Sequence, residues 1–458
     1  MLFDGSLEVI TDYILFVVCI FILLGSVFIT CQMRFVQVRC FPQLYRMLKS
    51  SFARRHTAKN AHTILPHQAL FTSMSTTLGI STIVAPVIAI KLGGPGALIG
   101  FLLTAFFGSA ATFTEVNLSL QYRKRLSCGT IMGGPMQYLY HLVSPRMAKW
   151  YALGCFVLMA VWSAAQANQL AAILDSPLLG TMRMPTYLSG ILIALCVIFT
   201  LTGGIKRVSA LSSRLVSAMF ILYLSACMWI LVNNYDLILP VLGQVFHAAI
   251  SPYALASGTL VGGAVSALRW GIFKGIQTCE AGLGTQSIPH SMAEIQNDTE
   301  QGLLAMLSTY TSGALAFLSG CVALITQTWL DPNIPLGINM VAASFEIYFA
   351  YAGIIIIAIC ALLFAFGTIL GNSYNGSQCF GYLTQNKYIN IYLIASAFVI
   401  FCGAIAEVKI VWSLVDVVLA AIAIPHMCAL IVYAYRNPIA KQTLAPVPIP
   451  VDNYTPMQ

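Results

Sequence analysis

Residues 274–290 read KGIQTCEAGLGTQSIPH, and the rest of the predicted fold follows from this stretch. It lies among apolar runs of membrane-spanning length, yet it carries a carboxylate, Glu280, followed by Gly282, Gly284 and Pro289. Each glycine costs a helix interior roughly 1 kcal/mol, and a carboxylate at membrane depth is rare and usually belongs to a pathway or a binding site. The stretch therefore predicts a helix that breaks inside the bilayer, where irregular backbone must be buried in protein or line a water-filled cavity.

A second apolar run, in the first half of the chain, is interrupted in the same way. Residues 76–96 read TTLGISTIVAPVIAIKLGGPG, in which Gly79 and Pro86 disturb the helical pattern. Interrupted helices at corresponding positions of two halves are a strong sequence indicator of a transporter binding site. Because Gly and Pro are also common in ordinary membrane helices, two kinks that serve only packing are the alternative.

Composition places the chain in the lipid bilayer. Of its 458 residues 59% are hydrophobic and 8% are charged, whereas average proteins have about 25% charged residues. The net charge of +8 reflects basic loops and does not indicate a nucleic-acid partner. The 13 cysteines form no CxxC pair, so neither a metal site nor a cofactor is predicted. The chain also has no GxxxxGK[ST] motif, which disfavours ATP-driven transport.

A membrane span needs about 20 largely apolar residues, and we predict eleven spans. They are residues 10–31, 64–91, 95–121, 150–174, 185–203, 212–234, 258–292, 301–329, 342–371, 388–406 and 410–435. With the N-terminus outside, most of the 23 Lys and Arg residues fall in inside loops, and only Lys91, Arg183 and Lys409 fall in outside loops. This asymmetry satisfies the positive-inside rule. The residues before the first span are acidic, which predicts a retained helix and not a cleaved signal.

The spans divide into an N-terminal extra helix (1–31), a basic cytoplasmic loop (32–63), a five-helix repeat (64–234), a second repeat (258–435) and a cytoplasmic tail (436–458). Because five is odd, the two repeats have opposite orientations in the membrane. The predicted fold is an all-α integral membrane protein with a 1 + 5 + 5 inverted repeat and breaks in helices 2 and 7.

Several motifs in order resemble those of a known family. They are LGGPGA (92–97), GGPMQYL (133–139), QAN (166–168), GGIKR (203–207), ALRWG (267–271), EAGLG (280–284) and FGTILG (366–371). The chain resembles the alanine/glycine:cation symporter family, also called sodium:alanine symporters, whose fold is similar to that of the leucine-transporter superfamily. The resemblance implies a monomeric carrier without enzymatic activity, which imports small neutral amino acids with Na⁺ across a cell inner membrane.

Three departures from the family pattern lie in or beside the expected site. The family's GTGN in the first break is here residues 79–82, GIST. The family's Asn before the glutamate is here Cys279, and its LGW is here Leu-Gly-Asn, which ends at Asn372. Serine or a larger polar amino acid as substrate, and a proton as the coupling ion, are therefore alternatives to alanine or glycine and sodium.

The predicted site must supply hydrogen-bond donors for a carboxylate, acceptors for an ammonium group and oxygen ligands for a cation, and the ends of broken helices offer all three. The predicted substrate-binding residues are Gly79, Ser81, Thr82, Gln166, Asn168, Cys279, Gly282, Thr368 and Asn372. The predicted ion-binding residues are Thr82, Glu280 and Thr368.

Five of these residues also have a structural alternative. The amides on helix 4, Gln166 and Asn168, and the amide of Asn372 are equally suited to hydrogen bonds between helices. The Thr368 hydroxyl is able to bond to its own helix. The Glu280 carboxylate is able to hold the broken backbone together by accepting freed N–H groups.

Other polar residues are expected to be structural. His290 and Glu294, four residues apart, are predicted to lie at the cytoplasmic surface, since two ligands make no metal site. Glu115 and Asp416 are predicted to pair with basic loop residues. A membrane enzyme would need clustered His, Asp or Glu residues, and a channel would need a repeated filter motif. The sequence offers neither pattern, so both classes remain secondary alternatives to a carrier.

Overall fold

The computed structural model describes residues 2–45, 63–125, 131–250, 264–294 and 298–437. Most of the predicted basic loop and tail, and the first residues of the predicted second repeat, lie outside these ranges. The helices are α1 (Leu2–Gln32), α2 (Val36–Arg39), α3 (Pro66–Thr77), α4 (Ile80–Gly93), α5 (Ala97–Gln121), α6 (Pro135–Leu142), α7 (Pro145–Leu174), α8 (Thr186–Leu201), α9 (Gly204–Asn233), α10 (Tyr235–Ile250), α11 (Ala264–Cys279), α12 (Ser287–Ser291), α13 (Asp298–Thr326), α14 (Ile338–Phe349), α15 (Tyr351–Thr384), α16 (Ile389–Ile405) and α17 (Val408–Arg436).

The remaining regular elements are short. Two-residue strands β1 (Lys124–Arg125) and β2 (Ile131–Met132) pair antiparallel, and 3₁₀ turns cover Pro177–Met182 and Thr328–Leu330. Seven helical segments of the described chain are long and apolar enough to cross a membrane, and shorter apolar helices accompany them. The predicted all-α membrane class is therefore confirmed.

The helices pack in two groups. One group contains α3, α4, α5, α11, α12 and α13, in which α5 packs along α11 and α13, and α4 packs on both of these helices. The other group contains α7, α8, α15 and α16, in which α7 packs along α15 and α16. The first group holds the first two spans of each predicted repeat, and the second holds the third and fourth spans of each. Spans with the same position in the two predicted repeats therefore pack in the same group.

Glycines let α5 and α11 touch backbone to backbone. A Cβ atom on Gly271 would collide with the backbone of Ala97, and one on Gly100 would collide with the backbone of Gly271. One turn further along, a Cβ on Gly275 would stand 2.7 Å from the Thr104 hydroxyl. Small residues at such crossings allow close van der Waals packing in lipid. This contact fixes α11, and hence the break at its end, against α5.

The ninth predicted span, 342–371, is wrong in its boundaries. The chain turns sharply at Ala350, whose φ is 48°, between α14 and the long helix α15. Gly353 permits the turn, since a Cβ atom there would stand 2.5 Å from the carbonyl oxygen of Phe345. Both helices are apolar, so hydropathy gave no sign of the boundary between them.

Candidate functional site

The first break separates α3 from α4 at Leu78 and Gly79, as the sequence predicts. At the end of α3, the Thr77 carbonyl oxygen accepts hydrogen bonds from two side chains, Thr82 Oγ1 at 2.9 Å and Ser312 Oγ at 3.2 Å. At the start of α4, the N–H of Ile80 donates to Gln166 Oε1 at 2.9 Å. Side chains thus satisfy backbone groups on both sides of the break.

Gly79, Gln166 and Thr368 meet at this break. A Cβ atom on Gly79 would stand 2.8 Å from Thr368 Oγ1 and 3.0 Å from Gln166 Oε1. Thr368 Oγ1 donates to the Phe364 carbonyl of its own helix at 3.0 Å and lies 3.4 Å from the Leu78 carbonyl oxygen. Three residues predicted from sequence therefore lie together around the open backbone of the first break.

The second break lies between α11 and α12. The chain takes left-handed conformations at Glu280 (φ 51°), Gly282 (φ 78°) and Gly284 (φ 81°), which explains the two glycines of the EAGLG motif. A Cβ atom on Gly282 would collide with Met427 of α17 and stand 3.2 Å from Ile22 of α1. Gly282 therefore faces α1 and α17, and its carbonyl oxygen lies 2.8 Å from His426 Nδ1.

Glu280 connects the second break to the first broken helix. Its buried carboxylate accepts a hydrogen bond from the Thr285 hydroxyl, and the Thr76 hydroxyl of α3 lies within hydrogen-bonding reach. The observed donor is a hydroxyl group, whereas the structural alternative drawn from sequence assumed freed backbone N–H groups. Glu280 thus stabilises the break through side chains.

Two residues that the sequence analysis missed join the breaks. Ser312 of α13 donates to the carbonyl oxygens of Thr77 and, at 2.9 Å, of Thr278. Gln286 donates to the Cys279 carbonyl oxygen at 2.7 Å, and its Oε1 accepts from the Ser73 and Ser308 hydroxyls. A serine in an apolar helix carries no distinctive sequence signal, and the role of Gln286 depends on contacts across the fold.

Asn372 occupies the stretch of α15 between the two breaks. Thr368, four residues earlier, reaches the first break, and Asn375, three residues later, donates from Nδ2 to the Thr285 carbonyl oxygen at 3.3 Å. These spacings place the three residues on one helix face. Asn372 is fully buried, yet neither its Oδ1 nor its Nδ2 has a hydrogen-bond partner among the described residues. A buried amide without partners is costly.

The side chains of Asn168 and Cys279 point away from the first break, whereas Ser81 lies at it. Asn168 Nδ2 donates to the carbonyl oxygens of Gly403 and Ala406, at 2.9 and 2.8 Å, and so holds the end of α16. The Cys279 side chain packs with Ala105 and Ala281 inside the first group of helices. Ser81 is buried in the first turn of α4, where its N–H belongs to the helix end at the first break.

The sequence predicted that Glu115 and Asp416 pair with basic loop residues, and the structure shows other neighbours for both acids. Glu115 lies beside His426 of α17, whose Nδ1 is 3.9 Å from its carboxylate. Asp416 accepts from Gln277, which in turn accepts from Lys274 Nζ at 2.9 Å. Both arrangements lie between helices, so the packed fold was needed to see them.

His290 is also not at the surface, which corrects the sequence interpretation. Its side chain is fully buried, and its Nδ1 lies 2.6 Å from Gln301 Nε2. The segment after Pro289 is not a solvent-exposed loop. Arg123, which follows α5, donates hydrogen bonds to the carbonyl oxygens of Ser291 and Ala293 in this segment.

Two broken helices that pack together in one group of helices, with the second group against the first break, define a leucine-transporter-like membrane fold. The structure is similar to that of a Na⁺-coupled sialic acid symporter in its substrate-bound outward-open state, with a TM-score of 0.53 over 89% of this chain and 82% of that chain. Since the identity is 16%, this likeness shows the fold alone.

Sequence comparison gives the family. The model of the sodium:alanine symporter family matches residues 2–442. The chain is 30% identical to the sodium/alanine symporter AgcS of Methanococcus maripaludis, over 90% of each chain. It is 28% identical to the probable sodium/glutamine symporter GlnT of Bacillus subtilis, over 88% of this chain and 83% of that one. The protein belongs to the sodium:alanine symporter family.

Proposed function

We propose that the protein imports neutral amino acids together with Na⁺, and that it accepts substrates with a polar side chain, such as serine or glutamine, at least as well as alanine or glycine. The observation that carries the proposal is the buried, unpartnered amide of Asn372 between the two breaks. An amide offers both a donor and an acceptor, which suits a substrate hydroxyl or amide better than a methyl group. The matched relatives include proteins named for alanine and for glutamine.

The backbone around the breaks would bind the zwitterionic part of the substrate. At the N-terminus of α4, the N–H of Ser81 and the positive end of the helix dipole would face a carboxylate, while the N–H groups of Ile80 and Thr82 donate to Gln166 Oε1 and to the Gly79 carbonyl oxygen. The C-terminal ends of α3 and α11 present carbonyl oxygens to an ammonium group. Gln166 and Gly79 lie beside these ends and shape the space around them.

Sodium would take oxygen ligands near the first break. The Thr368 hydroxyl, the Leu78 carbonyl and the Thr82 hydroxyl lie in this region, and they belong to both helix groups. A cation held between the groups would favour one arrangement of them over another, which is the physical basis of coupling. Proton coupling is the alternative, because Thr82 and Cys279 stand where the family has amides; Glu280 would then be the candidate carrier.

The basic residues would place the loops before α3, after α5 and after α17 in the cytoplasm. This orientation puts the N-terminus outside. We also propose that the protein lies in a cell inner membrane and that it functions as a monomer. Engineered cysteines in the N-terminal segment and after α17 would test the orientation with a membrane-impermeant thiol reagent in intact cells, and labelling of the second position alone would contradict the orientation.

Uptake into vesicles tests the function directly. Labelled alanine, glycine, serine and glutamine would be supplied with a sodium gradient, with choline in its place, and with a pH gradient alone. We expect sodium-dependent uptake in which serine or glutamine competes at least as well as alanine. Uptake that does not depend on sodium and follows the pH gradient would contradict sodium coupling. A strict preference for glycine and alanine would contradict the proposed role of Asn372.

A further inference from the structure

The side chain of Arg123, which follows α5, is hydrogen-bonded to the segment at the end of α12. Its Nη1 donates to the carbonyl oxygens of Ser291 at 3.0 Å and of Ala293 at 2.8 Å. These carbonyls lie at and just beyond the end of α12, where helical hydrogen bonding has stopped. Arg123 is only 6% exposed. Burial lowers the pKa of its guanidinium, and Asp298 opposes that shift, yet an arginine keeps its charge in a protein.

The opposite edge of the same segment pairs with the chain that leads into α3. The N–H of Ile64 donates to the Met292 carbonyl oxygen at 3.1 Å, and the N–H of Glu294 donates to the Ile64 carbonyl oxygen at 2.9 Å. These two bonds form a parallel bridge between Ile64 and Ala293. Carbonyls 291 and 293 thus face Arg123, while carbonyl 292 and N–H 294 face Ile64. Arg123 takes the place of a neighbouring strand on one edge and leaves the other edge to pair with Ile64.

Contacts from the same end of α5 hold the rest of α12. Ser119 Oγ donates to the Ser287 carbonyl oxygen at 3.0 Å and accepts from the N–H of Gly134 at 2.7 Å. A Cβ atom on Gly133 would collide with Ser291. α12 is therefore fixed at both ends to α5 and its following loop. The bridge to Ile64 comprises two backbone hydrogen bonds, and beside them the Thr63 hydroxyl donates to Glu294 Oε2 at 3.4 Å.

We propose that the bridge between Ile64 and residues 292–294 closes the cytoplasmic side of the carrier, and that Arg123 is the positioning residue that keeps it formed. The proposal rests on the transport function and orientation proposed above. The bridge ties the beginning of the first broken helix to the end of the second, so a path to the cytoplasm between these helices requires it to open. Arg123 sets how often it opens, because it holds the partner segment in the pairing position.

Hydrogen exchange of the full-length protein in lipid nanodiscs, without substrate, tests the gate itself. In Arg123→Ala we expect peptides containing the Ile64 and Glu294 amides to exchange at least about tenfold faster, since two hydrogen bonds from a charged donor are lost. Arg123→Lys should restore part of the protection. Arg125→Ala, two residues further along the chain, removes an equal charge and should leave both amides protected. Unchanged exchange in Arg123→Ala would overturn the proposal, whether or not the protein transports amino acids.

A transport measurement separates gating from simple stability. If the closed cytoplasmic gate becomes less populated, the apparent sodium affinity from outside falls in proportion. We expect Arg123→Ala to raise the half-saturating sodium concentration several-fold. Ile64→Pro, which removes the N–H that bonds to Met292, should raise it similarly while leaving Arg123 in place. If Arg123→Ala proves unstable, Ile64→Pro alone decides: faster exchange at Glu294 supports the gate, and unchanged exchange contradicts it.

Discussion

The side-chain oxygen of Gln166 accepts a hydrogen bond from the backbone N–H of Ile80 at 2.9 Å, so a residue of α7 supports the broken end of α4. This bond joins the two groups of helices at the first break. Loss of the acceptor would leave a buried N–H unpaired, which costs about 1–3 kcal/mol.

We therefore expect Gln166→Ala to raise the KM for amino-acid uptake by about tenfold or more, since about 1.4 kcal/mol corresponds to a factor of ten. Concentration-dependent uptake into vesicles measures it. Gln169→Ala is the matched control: Gln169 is a buried amide of the same helix, but its contacts are with Asn168 and Ile338. Equal effects of the two substitutions would show that Gln166 has no special role at the break.

Gly282 should not tolerate a side chain. We expect Gly282→Leu to abolish uptake while insertion into the membrane continues, because φ is 78° and the new side chain would collide with Met427. Gly94→Leu separates strain from collision, since Gly94 has φ 85° but a Cβ atom added there would meet no other atom within 4 Å. Uptake assays combined with measurement of protein in the membrane would decide, and normal uptake by Gly282→Leu would contradict the prediction.

Thr368 tests the coupling ion. We expect Thr368→Ala to raise the half-saturating sodium concentration by about tenfold or more, as removal of a hydrogen-bonding or liganding group to a charge costs about 1.5–3 kcal/mol. Thr368→Ser, which keeps the hydroxyl, should stay close to the wild type. An unchanged sodium dependence in Thr368→Ala would remove this hydroxyl from the ion site, and uptake that tracks pH in all three proteins would favour proton coupling.

The sequence predicted the fold and both breaks because Gly, Pro and a lone carboxylate stand out in apolar helices. Gly79, Gln166 and Thr368, which the family motifs singled out, are neighbours in the structure, and their spacing in the sequence alone would not have shown this. Asn168 and Cys279 illustrate the limit: a motif identifies a position on a helix, whereas the direction of its side chain depends on neighbouring helices. Arg123 was interpreted only as a basic loop residue, because its two carbonyl partners lie far away in sequence.

Asn372 provides the most specific test of the site. It lies between Thr368 and Asn375 on α15, about 6 Å along the helix axis from the first and about 4.5 Å from the second. Beside it, Gly371 allows α15 to approach α3, since a Cβ there would stand 2.5 Å from Thr76 Cγ2. The family's tryptophan at this position has a larger and mostly apolar side chain. Asn is smaller, and its donor and acceptor have no hydrogen-bond partner among the described residues.

We therefore expect Asn372→Trp to shift the preference of uptake from serine or glutamine toward alanine and glycine. A pocket that hydrogen-bonds a polar substrate discriminates strongly against analogues that leave its groups unpaired, whereas one methylene is worth only about 1–3 kcal/mol. Competition of each unlabelled amino acid against labelled substrate, in both proteins, gives the ranking. Asn372→Leu, similar in size to Asn but apolar, separates the loss of hydrogen bonding from the filling of space: it should weaken serine and glutamine while sparing alanine. The same ranking in all three proteins would mean that Asn372 does not contact the substrate side chain.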